Sequence, residues 1–211
     1  MGRRGKPGKP RLHGILKPGL FRLPDCEEAS SFDRCLDYEK FLKAVVELFN
    51  AVAELREQHR RKTLDIWNSY LALTVILSAN GLRIREAIRA AARFYETGER
   101  EFAITAEKGG DARIVKIPEF IERGDVEYVY KETVKHGEER VKERIEQWFL
   151  GVFGVNPHAV RYAYVRYHVL RGRSTGEIAR ALGIKKERNI KDYYLRGLHL
   201  EEEAEEDGGA G

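Results

Sequence analysis

Residues 63–87, TLDIWNSYLALTVILSANGLRIREA, contain the longest apolar run of the chain and the turn that ends it. Apolar side chains occur on several sides of Leu64–Ala79, which predicts a central helix buried among its neighbours. Asn80-Gly81 is a helix-ending pair, because glycine adopts the left-handed conformation at little cost. A further helix is predicted from about Ile84 to Tyr95. We therefore expect the fold to form around these two helices and the turn between them.

The segments on either side predict more helices and one small sheet. Apolar residues that recur every three to five positions predict a long helix over 32–60. The period changes to two at 101–106 and 112–117, which predicts paired strands joined by Gly109-Gly110-Asp111. Val126–Tyr130 is predicted as a third strand. Further helices are expected at 132–147, from Asn156-Pro157 to about Arg171, at 174–182 and at 187–199. The fold class is α+β, mainly helical, with a small three-stranded antiparallel sheet.

Length and composition exclude several classes of protein. The 211 residues, 42% of them hydrophobic, are enough for a domain with a buried core. The apolar run Tyr70–Ala79 is too short to cross a bilayer, and the basic start lacks the apolar segment of a secretory signal. Cys26 and Cys35 cannot form a disulfide framework or a four-thiolate zinc site, and we expect free thiols. These features predict a soluble cytoplasmic protein with no membrane contact.

The net charge of +4 is a sum over segregated charges. Residues 1–24 carry seven basic residues and no acid, and residues 201–207 carry six acids and no base. Residues 156–200 contain ten Lys or Arg against three Asp or Glu. Such a basic field attracts a polyanion, because neutralised phosphates release counterions. A single Met and 34% charged residues are also typical of heat-adapted proteins, so charge alone leaves both interpretations open.

Four features of the sequence carry candidate chemistry. Each is ordinary alone; an arginine near a glutamate, for example, usually makes a surface ion pair of little energetic worth. Their order along the chain is the specific signal. They are Gly81-Leu82-Arg83-Ile84-Arg85-Glu86, then Lys108 at the tip of the predicted hairpin, then His158 and Arg161 on one helix face, then Leu182-Gly183 followed by Tyr193-Tyr194.

In this order the features resemble the tyrosine recombinase family (phage integrases and Xer-like proteins) over about residues 62–198. The resemblance implies site-specific cleavage and rejoining of DNA through a 3′-phosphotyrosyl intermediate, with no metal or other cofactor. It implies a catalytic domain at 62–200. Composition and charge predict a basic flexible arm at 1–28 and an acidic disordered tail at 201–211, and the apolar period predicts an N-terminal helix domain at 29–61. The implied catalytic residues are Arg83, Lys108, His158, Arg161 and Tyr193.

The residue types fit the roles that the resemblance implies. Tyr193 would attack the phosphodiester. The planar guanidiniums of Arg83 and Arg161 would hold its non-bridging oxygens. Lys108 would protonate the 5′-oxygen, and His158 would assist proton movement at the tyrosine or bind the phosphate. Glu86 would orient the arginine or the histidine.

One position departs from the family pattern. Ile184 stands where the family has a histidine or tryptophan that contacts phosphate, and isoleucine donates no hydrogen bond. Lys185 or Lys186 would supply that contact. Without a replacement, the loss of one such donor lowers the rate by about 10²-fold.

The expected partner is double-stranded DNA, bound by a homo-oligomer, a dimer or a tetramer. Phosphate contacts are expected from basic residues of the arm and of the C-terminal segment, namely Arg3, Arg4, Lys6, Lys9, Arg173 and Arg188. The acidic tail is expected to compete with DNA for the basic surface.

Two other functions stay open, and so does the identity of the nucleophile. Residues 174–198 also resemble a helix-turn-helix, which would make the chain a DNA-binding regulator without catalysis. A heat-adapted structural protein would bind no DNA in a salt-sensitive manner. Tyr194 is the alternative to Tyr193, and the sequence does not distinguish cleavage in cis from cleavage in trans.

Overall fold

The computed structural model describes residue 21 and residues 35–59, 61–107 and 110–195, apart from the side chain of Tyr193. The predictions for the tail at 201–211, for Lys108 and, Phe21 excepted, for the arm at 1–28 lie outside the described residues. The elements, in chain order, are α1 (Tyr38–Gln58), α2 (Lys62–Asn80), α3 (Ile84–Thr97), β1 (Glu101–Thr105), β2 (Ala112–Lys116), α4 (Glu127–His136), α5 (Glu138–Phe153), α6 (Pro157–Leu170) and α7 (Thr175–Ala181), followed by a π-helical turn at Ile190–Tyr194.

Helix α2 is the centre of the core, as its apolar pattern predicts. Every residue from Asn68 to Ser78 is buried, and α2 packs against α1, α3, α4 and α6. Two of its buried hydroxyls bond within the helix: Thr74 donates to the Tyr70 carbonyl at 2.8 Å and Ser78 donates to the Thr74 carbonyl at 2.7 Å. The helix ends at Gly81, whose φ of 58° is left-handed.

Helix α1 is shorter than predicted and joins the same core. It begins at Tyr38, because the Asp37 carboxylate caps it by accepting from the backbone N–H of Lys40 at 3.2 Å. Its buried face packs on α2, and the Tyr38 hydroxyl donates to the carbonyl of Ser78 at 2.9 Å. Phe21, within the predicted arm, is buried against Phe41 with ring centres 5.5 Å apart.

The sheet has two antiparallel strands in the described part of the chain. Glu101 pairs with Lys116 and Thr105 pairs with Ala112. The predicted third strand, Val126–Tyr130, is wrong, because this segment begins α4. Val126 and Val129 are both buried and lie three residues apart, so they share one face of a helix rather than one face of a strand.

The helices after the sheet begin and end mostly where local chemistry predicts. The single helix expected at 132–147 is instead α4 and α5, separated by Gly137 with a φ of 82°. The Asn156 side chain caps α6 by accepting from the N–H of His158 at 2.8 Å, with Pro157 in its first turn. Ser174 and Glu177 form a capping box on α7. The last helix, predicted at 187–199, contains the π-helical turn, and residues 196–200 lie outside the described residues.

Cys35 is a correction to the expectation of free thiols. It is buried and disulfide-bonded. Cys26 lies outside the described residues. Among the residues that the structure describes, no helix is long and apolar enough to cross a bilayer.

Candidate active site

A buried carboxylate at the start of α3 holds three arginines together. Glu86 is 0% exposed, and its Oε1 accepts from Arg83 Nη1 at 3.0 Å. Its Oε2 lies 3.3 Å from Arg113 Nη1 and 3.5 Å from Arg161 Nη1. The backbone N–H groups of Arg83 and Glu107 also donate to this carboxylate, each at 3.0 Å. One carboxylate therefore links the Gly81 turn, the hairpin and α6.

The charges of this cluster determine its protonation. Burial alone would raise the pKa of the Glu86 carboxyl, but Arg161, the two backbone N–H donors and Arg113 together hold that pKa below its ordinary value. Burial, followed by the neighbouring charge of Arg161, lowers the pKa of Arg113 to about 10. At neutral pH the cluster therefore carries three guanidinium charges against one carboxylate, an arrangement suited to binding an anion.

Besides Glu86, Arg161 connects three parts of the site through one guanidinium. The side chain is 0% exposed. Its Nε donates to the Tyr194 hydroxyl at 2.9 Å, and its Nη1 donates to the carbonyl of Gly81 at 2.7 Å. Its Nη2 lies 3.4 Å from the carbonyl of Leu182. Arg161 is thus fixed by its neighbours. Of these bonded partners, Tyr194 lines a surface cleft beside the arginine.

That cleft has a volume of about 620 Å³, within the range of ligand sites. His158 is exposed at its edge, with its ring centre 5.0 Å from that of Tyr162 and 6.4 Å from that of Tyr194. The ring centres of Tyr162 and Tyr194 are 4.9 Å apart. The cleft is lined by Arg83, Glu107, Gly110, His158, Tyr162, Gly183, Ile184, Lys185, Lys186, Asn189 and Tyr194.

The structure brings most of the predicted site residues to this place. Arg83, His158, Lys185 and Lys186 line the cleft, and Glu86 and Arg161 lie beneath it. Lys108 and the Tyr193 side chain lie outside the described residues, although Glu107 and Gly110 on either side of the hairpin tip line the cleft. In the part of the chain that the structure describes, no three His, Cys, Asp or Glu side chains gather as metal ligands.

Two predicted DNA-contact residues are not among the residues that line the cleft. Arg173 lines a separate groove beside β2 and α7, together with Arg180. Arg188 is 86% exposed and pairs with Asp192 at 3.0 Å. Arg3, Arg4, Lys6 and Lys9 lie outside the described residues.

The hairpin contacts the Leu182–Gly183 turn backbone to backbone. The N–H of Asp111 donates to the carbonyl of Gly183 at 3.1 Å. A Cβ added to Gly183 would lie 2.6 Å from the carbonyl oxygen of Asp111 and 2.7 Å from the Cβ of Ala106, and its φ is +63°. Only glycine at position 183 lets the two backbones come this close. The contact holds the hairpin beside the cleft.

Gly183→Ala is therefore expected to destabilise the fold by about 2–5 kcal/mol, from left-handed strain together with steric overlap. Gly172→Ala is the matched control, because Gly172 has a φ of +78° but open space around it. This control is expected to cost only about 1–2 kcal/mol. Urea unfolding measures both. Equal losses would show that the contact with the hairpin contributes nothing.

Comparison with known proteins assigns the family. Over 182 residues the chain is 33% identical to a protein of Acidianus two-tailed virus named "Putative integrase ORF241", and the match covers 86% of this chain and 70% of the viral protein. The chain belongs to this integrase family. No family model and no solved structure matches this integrase-family chain.

The sequence interpretation missed two residues of the site in this integrase-family chain. Arg113 is 3% exposed and bonds both Glu86 and the carbonyl of Asn80. Its strand parity is a signal, because it shares a face of β2 with the buried Val115. Tyr162 follows Arg161 directly and lies one helical turn after His158, so its place beside that histidine could have been predicted from helical spacing.

Proposed function

We propose that the chain is a tyrosine recombinase that cuts and rejoins double-stranded DNA through a 3′-phosphotyrosyl intermediate. The observation that carries the proposal is the bond from Arg161 Nε to a tyrosine hydroxyl, at a cleft that also contains Arg83 and His158. A phosphate-binding arginine and a candidate nucleophile thus meet at one point, as nucleophilic catalysis requires. The integrase name of the viral relative supports a reaction on DNA.

The cleft has the charge to hold a scissile phosphate. Arg83 is 20% exposed and lines the cleft while Glu86 fixes its guanidinium. A phosphate that replaces the Tyr194 hydroxyl at Arg161 Nε would then contact two arginines. Lys185 and Lys186 line the same cleft and supply the donor that Ile184 lacks. Such preorganised donors stabilise charge on the non-bridging oxygens in the transition state.

The proton transfers are assigned to two side chains. The tyrosine oxygen attacks phosphorus, an O–P bond forms, and the bond from phosphorus to the 5′-oxygen breaks. His158, at the edge of the cleft, accepts the tyrosine proton. Lys108, from the hairpin tip between Glu107 and Gly110, protonates the 5′-oxygen. Rejoining reverses these steps. The reaction therefore needs no metal or other cofactor, and it consumes no water.

The proposed reaction also requires that the chain assemble on DNA. A homo-oligomer, a dimer or a tetramer, would align two DNA sites, with the basic residues Arg173 and Arg188 as phosphate contacts. The helix-turn-helix alternative has less support. The turn at Leu182–Gly183 is held by Arg161 and by the hairpin, so it forms a wall of the cleft.

The test is a covalent adduct formed in EDTA. The probe is a pool of duplexes with a randomised centre, labelled at the 5′ or the 3′ end of one strand and quenched with SDS. The proposal predicts that the 5′ label stays on the protein and that the 3′ label leaves on a strand with a free 5′-hydroxyl. Retention of the 3′ label, or the absence of any adduct, would contradict it.

A further inference from the structure

The turn that contains Tyr193 and Tyr194 is π-helical, so its side chains follow a different spacing from those of an α-helix. The N–H of Leu195 donates to the carbonyl of Ile190, five residues earlier, at 3.1 Å. An α-helix makes this bond four residues back. The turn at Ile190–Tyr194 therefore holds one residue more than an α-helical turn, a rare feature that is frequent at functional sites.

The extra residue shifts which side chain faces the cleft. Ile190 is 0% exposed and Leu195 is 6% exposed, so the buried face recurs after five residues rather than three or four. The resemblance selects Tyr193, which lies at the family's spacing after Leu182-Gly183. Relative to an α-helical turn over the same residues, the extra residue moves the following side chains by one position, and Tyr194 is the tyrosine that lines the cleft.

The contacts of Tyr194 agree with this shift. Its hydroxyl accepts from Arg161 Nε at 2.9 Å. Its ring centre lies 5.8 Å from the Arg161 guanidinium carbon and 4.9 Å from the Tyr162 ring centre. His158 is 6.4 Å away, centre to centre. The hydroxyl therefore lies beside the arginine proposed to bind the phosphate, and the Tyr194 ring lies near the ring of the proposed proton acceptor.

We infer that Tyr194, and not Tyr193, is the nucleophile; this inference rests on the proposed recombinase function. The Tyr194 oxygen forms the bond to phosphorus as the 5′-oxygen leaves. The hydroxyl proton passes to His158, and the leaving 5′-oxygen takes up a proton as in the proposed function. Before attack, the phosphate takes over the Arg161 Nε–H that the hydroxyl occupies in this structure, which leaves the tyrosine oxygen next to the phosphorus that it attacks.

Tyrosine-to-phenylalanine variants of the full chain test the inference with the randomised duplex pool. Tyr194→Phe is expected to lower adduct formation by on the order of 10³-fold or more. Tyr193→Phe is expected to retain it within a few-fold. Tyr167→Phe is the control for loss of a tyrosine hydroxyl from α6, because Tyr167 does not line the cleft and its hydroxyl donates to the Glu39 carboxylate at 3.3 Å. This variant is expected to retain the adduct. Thermal unfolding and retention of DNA on filters show that each variant is folded.

The outcomes separate the inference from the proposed function. If folded Tyr193→Phe loses the adduct, the inference is wrong and the proposed function stands. This variant decides the question even if Tyr194→Phe fails to fold. If both variants keep the adduct, neither tyrosine is the nucleophile. If the wild-type chain forms no adduct, the proposed function fails and the inference fails with it.

Discussion

Replacing Arg161 with lysine is expected to lower DNA cleavage by on the order of 10²–10³-fold while DNA binding changes little. Lysine keeps a positive charge near Glu86, but it cannot span the carbonyls of Gly81 and Leu182 and the hydroxyl of Tyr194 as the guanidinium does. Binding should persist, because Arg161 is 0% exposed and adds little to the surface field. Rates of adduct formation and filter-binding affinities measure the two quantities.

Arg188→Ala is the matched control with the opposite expected result. The Arg188 side chain is 86% exposed and pairs with Asp192, whereas the Arg161 side chain is fully buried. If it contacts phosphate, its loss weakens binding across all sequences and reduces the salt slope by about 1, while cleavage of bound DNA continues. Weaker binding but intact cleavage for Arg161→Lys would contradict the catalytic role assigned to Arg161.

Glu86→Gln is expected to have the largest effect on stability, about 3–5 kcal/mol. The substitution removes the carboxylate that pairs with the guanidiniums of Arg83, Arg113 and Arg161, two of which are almost completely buried. Glu39→Gln is the control, because Glu39 is 60% exposed and pairs with Arg171 and Tyr167 at the surface. Its expected cost is at most about 1 kcal/mol. Urea unfolding at neutral pH compares the two variants, and similar small losses would contradict the buried-cluster account.

The same variant has a defined pH dependence. The pKa of Glu86 is held below its ordinary value of 4.5 in the folded chain, so the folded state favours the ionised form. The ionised Glu86 carboxylate contributes its full stabilisation above pH 4.5, and this stabilisation is lost as pH falls through the pKa of Glu86 in the folded state. The difference in unfolding free energy between wild type and Glu86→Gln should therefore shrink below about pH 4.5. A constant difference would show that the charge of Glu86 is not what stabilises the cluster.

Local chemistry predicts the parts of this fold that depend on neighbouring residues. The Gly81 turn, the Asn156 cap and the Ser174 cap are where side-chain hydrogen bonding and glycine geometry put them. Val126–Tyr130 was predicted wrongly as a strand because valine and tyrosine favour strands locally. Packing overrides that preference, since Val129 is buried and its N–H bonds the Ser69 hydroxyl.

The site itself depends on contacts that the sequence does not reveal. The partners of Arg161 lie 80, 21 and 33 residues away, at Gly81, Leu182 and Tyr194. Motif order predicts that these segments meet, but not that the arginine is fully buried. The extra residue in the π-helical turn is also invisible to spacing, because the same residue types fit an α-helical turn.

The most direct test of the account is to identify the amino acid that carries DNA in the wild-type adduct. The adduct formed in EDTA with the randomised duplex pool is digested with nuclease and protease, and the nucleotide-bearing peptide is sequenced by mass spectrometry. The account predicts a nucleotide joined through its 3′-phosphate to the phenolic oxygen of Tyr194. A nucleotide joined to Tyr193, to a serine, to any residue outside the cleft, or through its 5′-phosphate would contradict it.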